Sequence, residues 1–294
     1  MGVLMPYQVC DSCDIIYPIS EDEEVFEFCR CGGNLKYYRS LLEYSEDGSE
    51  PVRKVIRLQR TYTENKAYDY RLIEIIGAFM SIIGFIWLMS GFLLAVLSVF
   101  AGIMILLYGM KEGYSWKRGL KGEKVVNRVL ERLPQDYFVF YDVKLPGSKG
   151  NIDHVVIGPN GIFVIETKNY SGKYAIIADD WYPRRYSTSR RKKLPKSPGK
   201  QAKFNAISLR NFLTKNINTN KLKPWVHAIV VLIGQKPLKI ITKYYTVLQP
   251  HEVIDFIIKK KGKLTRSFKE ESIELVAHYS TEVSFYAPQK LSPV

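Results

Sequence analysis

Asp153, Glu166 and Lys168 follow the spacing Asp-x12-Glu-x-Lys. They lie in the stretch NIDHVVIGPNGIFVIETKN, residues 151–169. Apolar runs on either side of Gly158-Pro159-Asn160-Gly161 predict a β-hairpin. Strand alternation puts Glu166 and Lys168 on the face of Val164, with Phe163, Ile165 and Thr167 on the other. A loop centred on Pro159-Asn160 sets Asp153 opposite Glu166, and one centred on Asn160-Gly161 sets it opposite Lys168. In either register Asp153 is a direct or diagonal neighbour of the Glu-x-Lys pair, although a bulge at the turn changes the face it uses. Two carboxylates and an ammonium at the end of an apolar hairpin allow two readings. One is a salt bridge where the strands reach solvent. The other is a divalent-metal site, because adjacent carboxylates repel and Mg²⁺ between them relieves the repulsion while binding phosphate oxygens. Such a metal activates water and stabilises charge on phosphorus oxygens, and Lys168 orients the water or neutralises that charge. His154 points to the opposite strand face, which suits packing or support of Asp153.

The Asp-x12-Glu-x-Lys set resembles the PD-(D/E)xK nuclease pattern, and IDHVVIGPNGIFVIETKNYSGKY resembles the NERD (nuclease-related) domain in particular. The resemblance reaches upstream to Glu123 in KGEKVVNRVLERL, where the family places an acidic residue on its first helix. It reaches downstream to Gln201 in PGKQAKFNAISLRNFL, where the family has a helical Gln. It covers residues 119–260. Where the family has Asn-Pro before that Gln, this chain has Ser197-Pro198-Gly199-Lys200. The resemblance implies a site of Asp153, Glu166, Lys168, Glu123 and Gln201, with Mg²⁺ or Mn²⁺ on Asp153, Glu166 and the Thr167 carbonyl. The implied reaction is phosphodiester hydrolysis, in DNA. Read without the resemblance, Glu123 is a carboxylate favoured by the dipole at a helix start.

The elements that must position these residues follow from periodicity. Gly122–Leu133 has helical spacing, and Tyr137–Leu145 reads as a strand before the hairpin. Ile176-Ile177 and Trp181-Tyr182 suggest a further short strand. Gln201–Leu213 reads as a helix, Trp225–Ile233 as a buried strand containing a packed His227, and Tyr244–Leu248 as a short strand. His251–Ile258 and Glu270–Tyr279 read as closing helices. The expected class is α/β: a restriction-endonuclease-like core, meaning a mixed sheet with flanking helices. Between the hairpin and the Gln201 helix runs a dense basic segment. Arg184, Arg185, Arg190, Arg191, Lys192, Lys193, Lys196 and Lys200 are expected to grip phosphates regardless of base sequence. Anionic lipid is an equal rival partner for them.

The net charge of +14 is unevenly spread. Residues 1–50 carry −8 and the remainder +22. A basic body points to a polyanion, either nucleic acid or anionic headgroups. The acidic head holds all four cysteines, Cys10-x-x-Cys13 and Cys29-x-Cys31-Gly-Gly. Two thiolate pairs in tight knuckles read as a zinc ribbon over residues 1–50, with Zn²⁺ structural because four thiolates close its shell. Disulfides are the rival, but no signal peptide is expected. The ribbon offers a surface for a protein partner.

Residues 51–71 read as a basic linker. Residues 75–110 contain no charged side chain, too long for one membrane span and enough for two short ones. The expected unit is a transmembrane hairpin over 72–110, turning at Ser90-Gly91. Small residues at Gly77, Ser81, Gly84, Ala95, Ser98 and Gly102 serve close packing. Basic residues flank both ends, which predicts a multi-pass protein of the cell membrane with both termini cytosolic. Residues 117–294 form the nuclease-like domain. The function expected is a membrane-anchored, cytosol-facing, metal-dependent nuclease. The alternative is a non-catalytic scaffold that binds nucleic acid or protein at the membrane.

Overall fold

The structure is a computed structural model. It describes residues 6–11, 15–19, 29, 33–40, 43–44, 51–57, 59–183, 193–217 and 224–288. In chain order the strands and helices are β1 (Tyr7–Cys10), β2 (Ile16–Pro18), β3 (Leu35–Tyr38), β4 (Pro51–Arg57), α1 (Tyr62–Met89) and α2 (Ala95–Leu130). Then come β5 (Phe138–Val143), β6 (Ile152–Gly158), β7 (Gly161–Asn169), β8 (Tyr174–Ile177), β9 (Asp180–Pro183) and α3 (Pro198–Asn216). The last are β10 (Val226–Ile233), β11 (Lys239–Ile241), β12 (Thr246–Leu248), a 3-10 turn (Pro250–Glu252), α4 (Val253–Lys259), α5 (Arg266–Ala277) and β13 (Glu282–Pro288). These elements divide into two units. One comprises Met1–Gln59 with Val125–Val294, and the other Arg60–Lys124.

The helical unit is a long antiparallel pair. Thr61 caps α1 by accepting from the Glu64 amide at 3.2 Å, and the Glu64 carboxylate accepts from the Thr61 amide at 3.3 Å, so two orphan donors are satisfied reciprocally. The helix ends at Ser90, and Gly91 takes φ +86, at the turn expected from the sequence. A Cβ on Gly77 would lie 2.5 Å from the Leu106 backbone nitrogen, and one on Gly102 2.4 Å from Ser81 Oγ. The small residues thus let the two backbones meet. Phe79, Leu93, Leu97 and Phe100 face outward. Both helices are long and apolar enough to cross a membrane. Nearer their polar ends, Lys117 donates to both Glu74 carboxylate oxygens at 2.7 Å. The sequence suggested a transmembrane hairpin ending at residue 110 and a separate helix over Gly122–Leu133. The second helix of that hairpin and the separate helix are one, because no proline interrupts α2.

The other unit is a mixed α/β body around a seven-stranded sheet, ordered β12-β10-β7-β6-β5-β13-β4. Strand β10 runs parallel to β7 and β12, and the other neighbours are antiparallel. A parallel β7–β10 pair requires a crossover, which contains β8, β9 and α3. One sheet face buries Val155, Ile157, Val164 and Val230 against Ala202, Ala206, Leu209 and Leu213 of α3. The other buries Val156, Phe163, Ile165 and Ile229 against Val126 and Leu130 of α2 and Val253 and Ile257 of α4. Central strands buried on both faces explain the near-continuous apolar runs of the sequence.

Several expectations change. Residues 51–71 are not a linker: Pro51–Arg57 forms the edge strand β4, paired along its length with β13, and α1 begins at Tyr62. Tyr7, Val9, Tyr38 and Tyr44 from the first fifty residues belong to the same core as Phe138 and Phe285, with the Tyr44 and Phe285 rings 6.0 Å apart. The one short strand expected near Ile176 and Trp181 is a hairpin, β8–β9, extended by β11.

The β6–β7 turn is tied from several sides. Gly158 pairs with Gly161 across the two-residue loop Pro159-Asn160. The Tyr137 hydroxyl donates to Asn160 Oδ1 at 3.0 Å, and Asn160 Nδ2 donates to the carbonyls of Ile257 at 2.7 Å and Lys260 at 3.0 Å. Gly158 lies under the buried Tyr137 ring, where a Cβ would come within 2.2 Å of a ring carbon. Gly158→Ala is expected to lower stability by about 1–3 kcal/mol through overpacking, measured as a drop in the urea midpoint. An unchanged midpoint would mean that the ring moves aside freely.

Candidate active site

The site sits where β6 and β7 part. Backbone pairing continues from Gly158↔Gly161 to His154↔Ile165. The next step in that register sets Asp153 opposite Glu166, the first of the two registers considered. There the ladder gives way to a side chain: the Thr167 amide donates to Asp153 Oδ2 at 2.7 Å. On the same face the Lys168 ammonium pairs with Glu166 Oε1. Asp153, Glu166 and Lys168 are therefore brought together.

Glu166 is fully buried, on a strand flanked by β6 and β10. A carboxylate there demands partners. Lys168, with 22% of its side chain exposed, is one. Asn205 of α3 is another, its Nδ2 reaching Glu166 Oε2 at 3.5 Å. Burial pushes the Asp153 carboxyl above the usual carboxylate range; Lys168 and the Thr167 amide oppose the shift, and Asp142 adds to it. Burial pulls the Lys168 ammonium down, but the Glu166 and Asp153 carboxylates outweigh that and hold it above the usual lysine range. Lys168 thus serves both carboxylates.

Asp142 and Asn205 were missed in the sequence. Asp142 on β5 lies between the pairs Tyr141↔His154 and Val143↔Ile152, so it faces position 153. Its φ of 51 breaks the ladder there, a conformation aspartate tolerates better than most residues. Asn151 Nδ2 donates to Asp142 Oδ1 at 2.8 Å. A signal for Asn205 was available: it is a polar residue within the buried stripe of α3, where an amide needs a reason.

The remaining expected residues are placed as follows. Gln201 is exposed in the first turns of α3, one turn before Asn205. Glu123 falls in the helical unit, where its Oε1 accepts from the Thr63 hydroxyl at 2.9 Å. Of the basic segment, Arg184, Arg185, Arg190, Arg191 and Lys192 lie outside the described residues. Lys193 pairs with Asp180 at 3.3 Å, and Lys196 and Lys200 are exposed. Of the cysteines, Cys13 and Cys31 lie outside the described residues. Cys10 and Cys29 are buried, and the Tyr17 hydroxyl is 3.2 Å from Cys29 Sγ. Among the described residues, no three His, Cys, Asp or Glu side chains converge as a metal-ligand group. Two carboxylates on one face still suit Mg²⁺, which keeps several waters and takes one or two protein carboxylates.

His154 occupies the opposite face, buried, with its Nε2 2.7 Å from Asn127 Oδ1 and its ring edge-on to Tyr141. His227 stacks on Phe163 with centroids 5.1 Å apart. Both histidines have packing surroundings.

Residues 118–233 match the family model of the NERD, nuclease-related domain, a span containing every residue of the cluster. A 61-residue stretch is 48% identical to an uncharacterized protein of Bacillus anthracis, covering 19% of this chain and 28% of that protein. The aligned region therefore spans under a third of that relative. No solved structure matches.

Burial pushes the His154 imidazole down to about 3, from an ordinary 6.5. The unfolded chain therefore binds a proton below pH 6.5 that the folded chain refuses. Stability from this residue is complete above pH 6.5 and is lost as pH falls towards 3, by about 1.4 kcal/mol per pH unit. Urea unfolding of wild type and His154→Leu between pH 7 and 4 checks this. The variant should lose that component of the slope, and parallel curves would reject the assignment.

Proposed function

We propose that the chain is a membrane-anchored, metal-dependent nuclease whose site is Asp153, Glu166 and Lys168, supported by Asn205 and Asp142. The observation that carries the reading is the convergence of two carboxylates and a lysine on one sheet face, inside the span that matches the nuclease-related domain. Asp153 and Glu166 are the residues that would hold Mg²⁺ or Mn²⁺. Bound there, the metal supplies Lewis-acid activation of water and of the phosphodiester. The residues of the chain do the positioning. The Thr167 amide fixes Asp153, and Asn205 fixes the far oxygen of Glu166. Lys168 presents a charged donor to the attacking water and to the oxygens that gain charge. Gln201 flanks the site in this reading, and the lysines at the start of α3 attract the polyanion. DNA is the proposed substrate.

Arg53, Lys54, Arg57, Arg60, Lys66 and Arg71 precede or open α1, and Lys111, Lys117, Arg118, Lys121 and Lys124 follow the apolar part of α2. That bias supports a hairpin with both termini in the cytosol. Structural Zn²⁺ on Cys10, Cys13, Cys29 and Cys31 belongs to the same proposal. Two buried thiols and the tight amide bonds Cys10 N to Ile15 O at 2.9 Å and Cys29 N to Gly33 O at 2.8 Å support it.

The test uses the full chain in detergent, since residues 117–294 alone would lack β4 and four core tyrosine and valine side chains. Incubation with supercoiled plasmid and Mg²⁺ or Mn²⁺ should give cleavage that chelator abolishes. Lys168→Ala and Glu166→Gln should each reduce the rate by about 100- to 1,000-fold. A folded wild type that binds DNA without cutting it would favour the non-catalytic scaffold instead.

A further inference from the structure

Two adjacent tyrosines before β12 behave differently. Tyr245 is buried and anchored. Its hydroxyl donates to the Ala178 carbonyl at 2.7 Å and accepts from Trp181 Nε1 at 3.2 Å. Its ring occupies the space a Cβ on Gly199 would take, which seats it against the start of α3. Tyr244 faces away, 59% exposed. A large aromatic ring is thus displayed to solvent from a bend fixed by its neighbour.

The surroundings of Tyr244 are cationic. Lys203 Nζ lies 5.8 Å and Lys243 Nζ 5.3 Å from its ring centroid. Lys203 is already paired with Asp179 at 2.6 Å. Exposed Lys200, Lys239 and Lys243 form no ion pair among the described residues. Helical spacing sets Lys200 and the 61% exposed Phe204 on the outward side of α3, between the flank of Lys203 and the flank of Gln201 and Asn205. Lysine and aromatic side chains therefore line the outward side of the first turns of α3, the helix whose Asn205 reaches Glu166.

We propose that Tyr244 is a stacking platform for an unpaired nucleobase, and that the site takes single-stranded nucleic acid, including frayed ends, in preference to closed duplex. This deepens the nuclease reading and rests on it. An exposed ring among lysines stacks bases of any sequence while the ammonium groups follow the phosphates. In an intact duplex the base faces are covered by their neighbours, so the platform has nothing to stack on.

The test measures binding by the full chain in detergent and chelator, using fluorescence anisotropy of a labelled thymidine oligonucleotide and of a blunt duplex of equal length. Wild type should bind the single strand more tightly. Tyr244→Ala should weaken single-strand binding about 5- to 100-fold, the range for loss of one base stack, and leave duplex binding within about twofold. Tyr244→Trp should retain the preference. Lys243→Ala should weaken both ligands and flatten the salt dependence. Thermal unfolding of each variant separates these effects from misfolding. Single-strand binding unchanged in Tyr244→Ala, or equal wild-type affinity for both ligands, overturns the platform and leaves the nuclease reading standing. Failure of wild type to bind either ligand overturns both.

Discussion

A carboxylate with no exposure on a central strand constrains everything around it. Glu166 sits on β7, with β6 on one side and β10 on the other. Its ionised form is tolerable only if charge and hydrogen bonds reach it inside the protein. Strand alternation supplies the nearest cation at no topological cost, because the residue two positions on, Lys168, shares its face. The helix covering that face must then bring a polar group rather than another methyl, and α3 brings Asn205. The apolar Ala202, Ala206 and Leu209 around Asn205 seal the remainder. Site and core are in this sense one construction: the same helix that excludes water from the sheet completes the carboxylate's shell.

The chain order has a consequence for where the helical pair lies in the sequence. The α/β unit is built from segments on both sides of the helical pair, since β4 precedes α1 and pairs with β13 near the far end of the chain. The helical pair is thus an insertion into a domain rather than a leader attached to one. The first fifty residues are likewise not an independent bead, because Tyr7, Val9, Tyr38 and Tyr44 are core side chains of the larger unit.

The hairpin and the same-face relation of Glu166 and Lys168 were legible in the sequence because turn chemistry and alternation are local, while the register stayed open between two loops. The apolar helices were legible because composition alone marks them. What stayed hidden depends on distant partners. PVRKVIR reads as a basic linker because its charges obscure the alternation, yet charged residues are typical of an edge strand, and β13 supplies its pairing more than two hundred residues later. Asp142 drew no notice because its significance is a cross-strand position opposite Asp153, visible only once β5 is in register with β6. Asn205 lay one helical turn beyond the Gln201 that attracted attention.

The charges at the site explain why it needs help from outside itself. Asp153 and Glu166 share the ammonium of Lys168, and Asp142 adds its charge beside Asp153. Burial raises the Asp153 carboxyl above the usual range, and Asp142 adds to the shift. A phosphodiester is also an anion, so the cluster alone would repel the substrate class proposed for it. In the proposed reading two features would offset the repulsion at different ranges. The lysines at the start of α3 and on β11 act at long range and are weakened by salt. In the proposed reading, a divalent cation held by Asp153 and Glu166 would act at contact range, where salt screens little. Attraction of the strand and chemistry on it therefore depend on different charges. In that reading the first would vary with ionic strength and the second with metal, and Lys168, next to both carboxylates, would belong to the contact chemistry in either case.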